Sequence, residues 1–131
     1  MAWPLLGIPQ SELPVCCVLA DVFVLPSGFG PWDVVVNEAM CFGLPVSASD
    51  KAGAVPDLVH DGVNGFVFPA GNVELLADRL RRVLSDEDTR QRMGVQSHGI
   101  IEHWGINETV CGTLQALDYA TARSVSVAAV K

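Results

Sequence analysis

The residues able to do chemistry gather in short loops that follow apolar runs. Ser27 to Trp32 holds Gly28, Gly30 and Pro31 and leads into Asp33 and Val34. Asp50 to Pro56 holds Lys51 and Gly53 among small residues. Between the two lies Glu38, on an apolar helical run, where its carboxylate either bonds to backbone amides or faces open space. Carboxylates, hydroxyls, a lysine and glycine amides offer hydrogen bonds and charge to a ligand. No cluster of carboxylates suited to a hard cation is expected, so no metal site is assigned. Asp33 has two roles open to it. It is a cap or first-turn acid, which suits a helix dipole, or it is a relocated catalytic group. Ser27 and Ser49 end apolar runs and either cap the next turn or face a ligand.

The elements that must position these residues alternate between two kinds. Val22-Phe23-Val24-Leu25 is a continuous apolar run ended by Pro26, the pattern of a strand buried on both faces. Pro45 starts another strand, Val46 to Ala48, Phe66 to Phe68 is a further buried strand, and Leu5 to Ile8 is a fourth candidate. Helices are expected at Ser11 to Ala20 with Ser11 as N-cap, at Asp33 to Phe42 closed by Gly43, and as one turn at Asp57 to His60. Asn72 caps an amphipathic helix through Leu75, Leu76, Leu80, Val83 and Leu84. Asp86 to His103 and Ile106 to Ala122 complete a helical C-terminal half, with a frayed end to Lys131. Strands separated by helices and short loops predict parallel βαβ units, a Rossmann-like α/β/α sandwich of about four strands. Ligands of such sheets bind beyond the carboxyl ends of the strands. The loops after Leu25, Ser49 and Phe68 are therefore the ones to inspect.

Composition narrows the function. The 131 residues suit one domain, with 1–9 and 123–131 peripheral, and half of them are hydrophobic, which gives a real core. Eight Lys and Arg against fifteen Asp and Glu leave a net charge of -7, which repels nucleic acid and anionic lipid. Cys16, Cys17, Cys41 and Cys111 show no Cys-x-x-Cys pairing, and His60, His98 and His103 add no ligands at zinc spacing. They read as buried or half-buried free thiols of a reducing compartment. No signal peptide and no run of membrane-spanning length is expected, so the protein reads as cytoplasmic.

Several stretches in order carry a resemblance. Ala20 to Ser27, Pro31 to Met40 and Gly43-Leu44-Pro45-Val46 resemble the C-terminal, nucleotide-sugar-binding domain of GT-B-fold retaining glycosyltransferases of the group 1 type. Asp61-Gly62-Val63-Asn64-Gly65-Phe66 follows at the family's spacing, and Gln10 to Pro14 is similar to its lead-in helix. The match runs from about Gly7 to about Ala120. It implies a nucleotide-diphosphate sugar as donor ligand, retention of anomeric configuration, and no required cofactor. The family's signature is two glutamates separated by seven residues across a strand-to-helix loop. The second accepts both ribose hydroxyls, the loop amides face the diphosphate, and the first contacts the donor sugar. Glu38 stands at the second position. The implied ligand contacts further comprise Ser27, Gly30, Pro31, Trp32, Asp33, Val34, Lys51 and Gly53. Lys51 then either neutralises a phosphate or is a solvated loop lysine, and Trp32 and Trp104 either pack or form sugar platforms.

The departures from that pattern matter as much. Eight positions before Glu38 stands Gly30, not a glutamate, and Asp33 occupies a position where the family usually has Gly. No catalytic residue is therefore assigned, and a carboxylate lies where a diphosphate would approach. The acceptor-binding domain and the cationic residues of the donor domain's opening strands are expected to be absent. Transfer then requires a separately encoded N-terminal half. The absent strands would also leave the edge of the Val22 to Leu25 strand open, which predicts a homodimer through that edge. The alternative function is a non-catalytic binding module on a degenerate glycosyltransferase scaffold.

Overall fold

The computed structural model describes residues 9–128, with side chains to residue 122. The expected strand at Leu5 to Ile8 lies outside them. The described residues fall into two units, one ending at Ile101 and one beginning at Glu102. In the first unit the order is a 3-10 turn Gln10–Glu12, α1 Leu13–Leu19, β1 Phe23–Leu25, α2 Val35–Cys41, β2 Val46–Ser49, α3 Val55–Leu58, β3 Gly65–Phe68, α4 Val73–Ser85 and α5 Glu87–Ile101. The second holds α6 Ile106–Ala128, which runs past the expected end at Ala122. Its first turn is closed by Glu108, whose Oε2 accepts the Gly105 N–H at 3.0 Å.

The strands form one parallel sheet in the order β1-β2-β3. Register places Phe23 beside Val46, and Val46 beside Gly65, while Val24, Ser47 and Phe66 share the other face. Residues paired across parallel strands project to the same side. Two separate cores follow from this alternation. Phe23, Val46 and Ala48 pack with Val36, Ala39 and Met40 of α2 and with Val55 and Leu58 of α3. Phe66 packs on the opposite face with Val83 of α4 and Met93 of α5. Helices thus cover both sides of the sheet, a three-layer Rossmann-like sandwich, with three strands among the described residues.

Local chemistry fixes the ends of these elements. Asn72 caps α4, its side chain accepting the Leu75 N–H at 2.9 Å. Ser11 does not cap α1. That residue lies in the 3-10 turn, and α1 follows from Glu12 with Pro14 in its first turn and no capping side chain. α3 starts at Val55 and not at Asp57, because Pro56, with its fixed φ, is favoured in a first turn. The turn before β3 is built on Asn64. This fully buried side chain accepts the His60 N–H at 2.7 Å and donates to the Leu58 carbonyl at 2.9 Å. Cys41 and Cys111 are exposed, which corrects the expectation that all four thiols are at least half buried. Among the described residues no helix is long and apolar enough to cross a membrane.

Candidate functional site

Because the three strands run parallel, the loops that follow them emerge at one end of the sheet. They are laced together there. Ser49 Oγ donates to the Ser27 carbonyl at 2.5 Å, tying the loop after β2 to the loop after β1. The Gly30 N–H donates to the Lys51 carbonyl at 3.3 Å, and Gly30 and Ala52 pair as an isolated parallel bridge. Asp50 carries the lacing to the third loop. Its N–H donates to the Phe68 carbonyl at 2.9 Å, and its Oδ1 accepts the Ala70 N–H at 2.9 Å.

Asp33 holds the centre of this arrangement, in a role that differs from the cap expected of it. Its backbone has φ +57°, the left-handed region that non-glycine residues seldom adopt. That geometry explains why a glycine suits the position. α2 starts two residues later, with Val34 at the cap position and no side chain capping it. The Asp33 carboxylate turns instead across the site, and Oδ2 accepts the Gly53 N–H at 3.1 Å. It also fills the space beside Gly30. A Cβ on Gly30 would overlap the Asp33 carboxylate. Gly53 is equally confined, because a Cβ there would overlap the Pro31 carbonyl and come within 2.6 Å of the Gly30 carbonyl. The two loops therefore touch backbone to backbone, with one carboxylate as the polar filler.

Glu38 sits in the first turn of α2, half buried. Among the described residues no hydrogen bond or ion pair engages its carboxylate. Its charge reaches Cys17, whose thiol is pushed up by burial first and then by Cys16 and Glu38. Trp32 is half buried against the core below the sheet end, and its indole N–H donates to Asn37 Oδ1 at 3.2 Å. Lys51 is exposed, its N–H donating to Ser49 Oγ at 3.4 Å. Pro31 and Val34 are exposed and Ser27 is half buried, contributing its carbonyl to the lacing. Trp104 belongs to the second unit.

One residue of the loop went unremarked in the sequence. Phe29, between two glycines, is 85% exposed at the tip of the β1–α2 loop. An aromatic flanked by Gly28 and Gly30 was the available signal. A cavity of about 320 Å³ lies elsewhere, lined by Cys17, Asp21, Phe42, Pro45 and Arg90. These residues include those that immediately precede β1 and β2, so this cavity is at the opposite end of the sheet. Its polar groups include an Arg90–Asp21 ion pair at 3.3 Å. The chemistry-bearing residues and this concavity are therefore at different ends. The ligand reading rests on the former, because the polar groups and the glycine amides converge there. No group of three or more His, Cys, Asp or Glu among the described residues is placed to hold a metal.

Comparison with known proteins agrees with this architecture. Residues 5–98 match the family of glycosyl transferases group 1. The sulfoquinovosyl transferase SQD2 of Arabidopsis thaliana is 42% identical over 87 residues, which are 64% of this chain and 17% of that protein. The sucrose-phosphate synthase structure from Thermosynechococcus elongatus superposes with a TM-score of 0.73 at 27% identity, covering 87% of this chain and 29% of that one. The Anabaena HepE structure, solved in complex with UDP-glucose, gives 0.70 at 27% identity over 82% of this chain and 30% of its own. The chain thus spans less than a third of the length of these relatives.

Proposed function

This chain belongs to the group 1 glycosyl transferases, and from that membership we propose that it forms the donor side of such an enzyme, binding the nucleotide of a nucleotide-diphosphate sugar. The observation that carries the reading is Glu38. Its carboxylate is half buried on the helix that follows the β1 loop and, among the described residues, has no hydrogen-bond partner. A buried or half-buried acid usually finds a partner, so one that does not is available to a ligand. In this reading Glu38 accepts the two ribose hydroxyls. The loops after β1 and β2 flank the diphosphate, with Lys51 exposed beside them. The sugar is held loosely, because Gly30 offers no side chain where a donor-sugar contact would be made. Transfer needs an acceptor side that residues 9–128 do not build, supplied by further sequence or by a separate chain. The UDP-glucose found in the HepE structure supports the choice of nucleotide to try first. Isothermal titration with UDP tests it: saturable binding is expected, lost in Glu38→Ala with the fold intact. Equal binding by Glu38→Ala removes the reading.

A second reading has its own observation. β1 hydrogen-bonds only to β2 among the described residues, and α1 exposes Val15, Val18 and Leu19. A self-associating module without catalysis would cover such an edge with a second copy. Sedimentation at high micromolar concentration decides it, since a monomer there rules it out.

A further inference from the structure

Asp33 does two things at once that a ligand-binding loop does not need for folding. Its carboxylate takes the Gly53 N–H, and it occupies the volume a side chain on residue 30 would require. It does so from a backbone at φ +57°, a conformation an aspartate adopts at a cost that a glycine avoids. Gly53 is pressed against the carbonyls of Pro31 and Gly30, so its amide sits at the seam of the two loops. An amide at that seam is a natural donor to an anionic oxygen. Here the donor is already engaged by an anion from the chain itself.

We propose that the Asp33 carboxylate is an internal stand-in for a ligand's phosphate oxygen, a latch that holds the two loops closed and lowers the site's affinity for a nucleoside diphosphate. The inference rests on the nucleotide reading of the site and adds the residue that sets its strength. A diphosphate approaching Gly53 must displace this carboxylate and tolerate its charge nearby. Removing the carboxylate frees the amide, and a glycine at position 33 also relaxes the backbone. A side chain on residue 30 and the Asp33 carboxylate would occupy the same volume, so the two positions are coupled.

Two measurements test the latch, one with a ligand and one without. UDP is titrated into the wild-type chain and into Asp33→Gly and Asp33→Asn. Hydrogen bonds to charged groups are strong enough that their loss should raise UDP affinity about tenfold or more in Asp33→Gly. Asp33→Asn, which keeps an acceptor but not the charge, should fall between. Binding that is equal in all three overturns the latch and leaves the nucleotide site standing. No binding by any of them overturns both. Independently of any ligand, Gly30→Ala should lower the melting temperature of the wild-type chain but not that of Asp33→Gly. Equal losses in the two backgrounds would show that the carboxylate does not occupy that space, and would overturn the latch whatever UDP does.

Discussion

Gly94 and Gly99 lie on the same helix, α5, and replacing each by alanine should move stability in opposite directions. Glycine in a helix interior costs about 1 kcal/mol relative to alanine, so both substitutions begin with the same gain. Gly99 is exposed and a Cβ there meets nothing within 4 Å, which leaves that gain intact. Gly94 is buried, and its Cβ would overlap the Gly43 carbonyl oxygen, with Gly43 C at 3.3 Å and Pro45 Cδ at 3.9 Å. That carbonyl has nowhere to go. Gly43 ends the α2 turn at φ +68° with its N–H bonded to the Met40 carbonyl at 3.0 Å, and Pro45 leads directly into β2. Overpacking of a well-filled contact costs about 1–3 kcal/mol, and a backbone oxygen yields less than a side chain, so the upper part of that range applies. The net loss for Gly94→Ala is about 1–2 kcal/mol after the propensity gain. In a chain of this length that lowers the melting temperature by about 2–8 °C, while Gly99→Ala raises it by about 2–4 °C. Thermal unfolding followed by circular dichroism at 222 nm reads both. A Gly94→Ala protein as stable as wild type would refute the packing of α5 on the end of α2.

Other substitutions probe the rest of the scaffold. Asn64→Ala leaves the His60 N–H and the Leu58 carbonyl without their buried partner and should cost about 2–4 kcal/mol, read as a lower urea midpoint at unchanged slope. Ser47 is fully buried on β2 and its Oγ has no hydrogen-bond partner among the described residues, so Ser47→Ala should raise stability by up to about 1 kcal/mol in the same assay. The Thr89 hydroxyl, donating to Asp86 at 2.5 Å, holds the Asp86 carboxyl below its ordinary value, helped by the Thr89 and Asp88 amides and by Arg92. A depressed folded-state value gives stability that is present above the unfolded-state pKa and is lost as pH falls through the folded one. Thr89→Ala should therefore move the Asp86 titration, followed by NMR, up toward the ordinary carboxylate range and remove that acid-side contribution.

The sheet was legible because β1 and β3 are apolar runs and β2 follows Pro45 as a short run of small and apolar residues. Phe23–Leu25, Val46–Ser49 and Gly65–Phe68 fall within a residue of the expected spans, since strands covered on both faces keep a low polar content. α4 was equally plain, from Asn72 onward, because its cap and its apolar stripe coincide. The site was legible by place but not by contact. That Ser27, Asp33, Lys51 and Gly53 would share one end of the sheet follows from parallel topology. That Asp33 would reach Gly53, twenty residues away, does not. Local rules favour an aspartate before a helix as a cap, and tertiary geometry overrides them here. The Asp33 side chain leaves no room for a Cβ at residue 30, the backbone of residues 30 and 31 leaves none at residue 53, and the carboxylate reaches the half-buried Gly53 amide at the seam. Arg79 was likewise invisible. Its guanidinium lies 4.9 Å from the centre of the Phe66 ring and 4.0 Å from Asp61, a pairing that needs β3 and α4 already in contact.

The most direct measurement is a two-dimensional ¹⁵N–¹H spectrum of the chain during titration with UDP. Amide shifts are expected to cluster at Gly28 to Val34, around Glu38 and at Lys51 to Gly53, and to vanish in Glu38→Ala. Shifts that instead gather around Cys17, Phe42 and Arg90 at the far end of the sheet, or that persist unchanged in Glu38→Ala, would contradict a donor-nucleotide site at the laced loops.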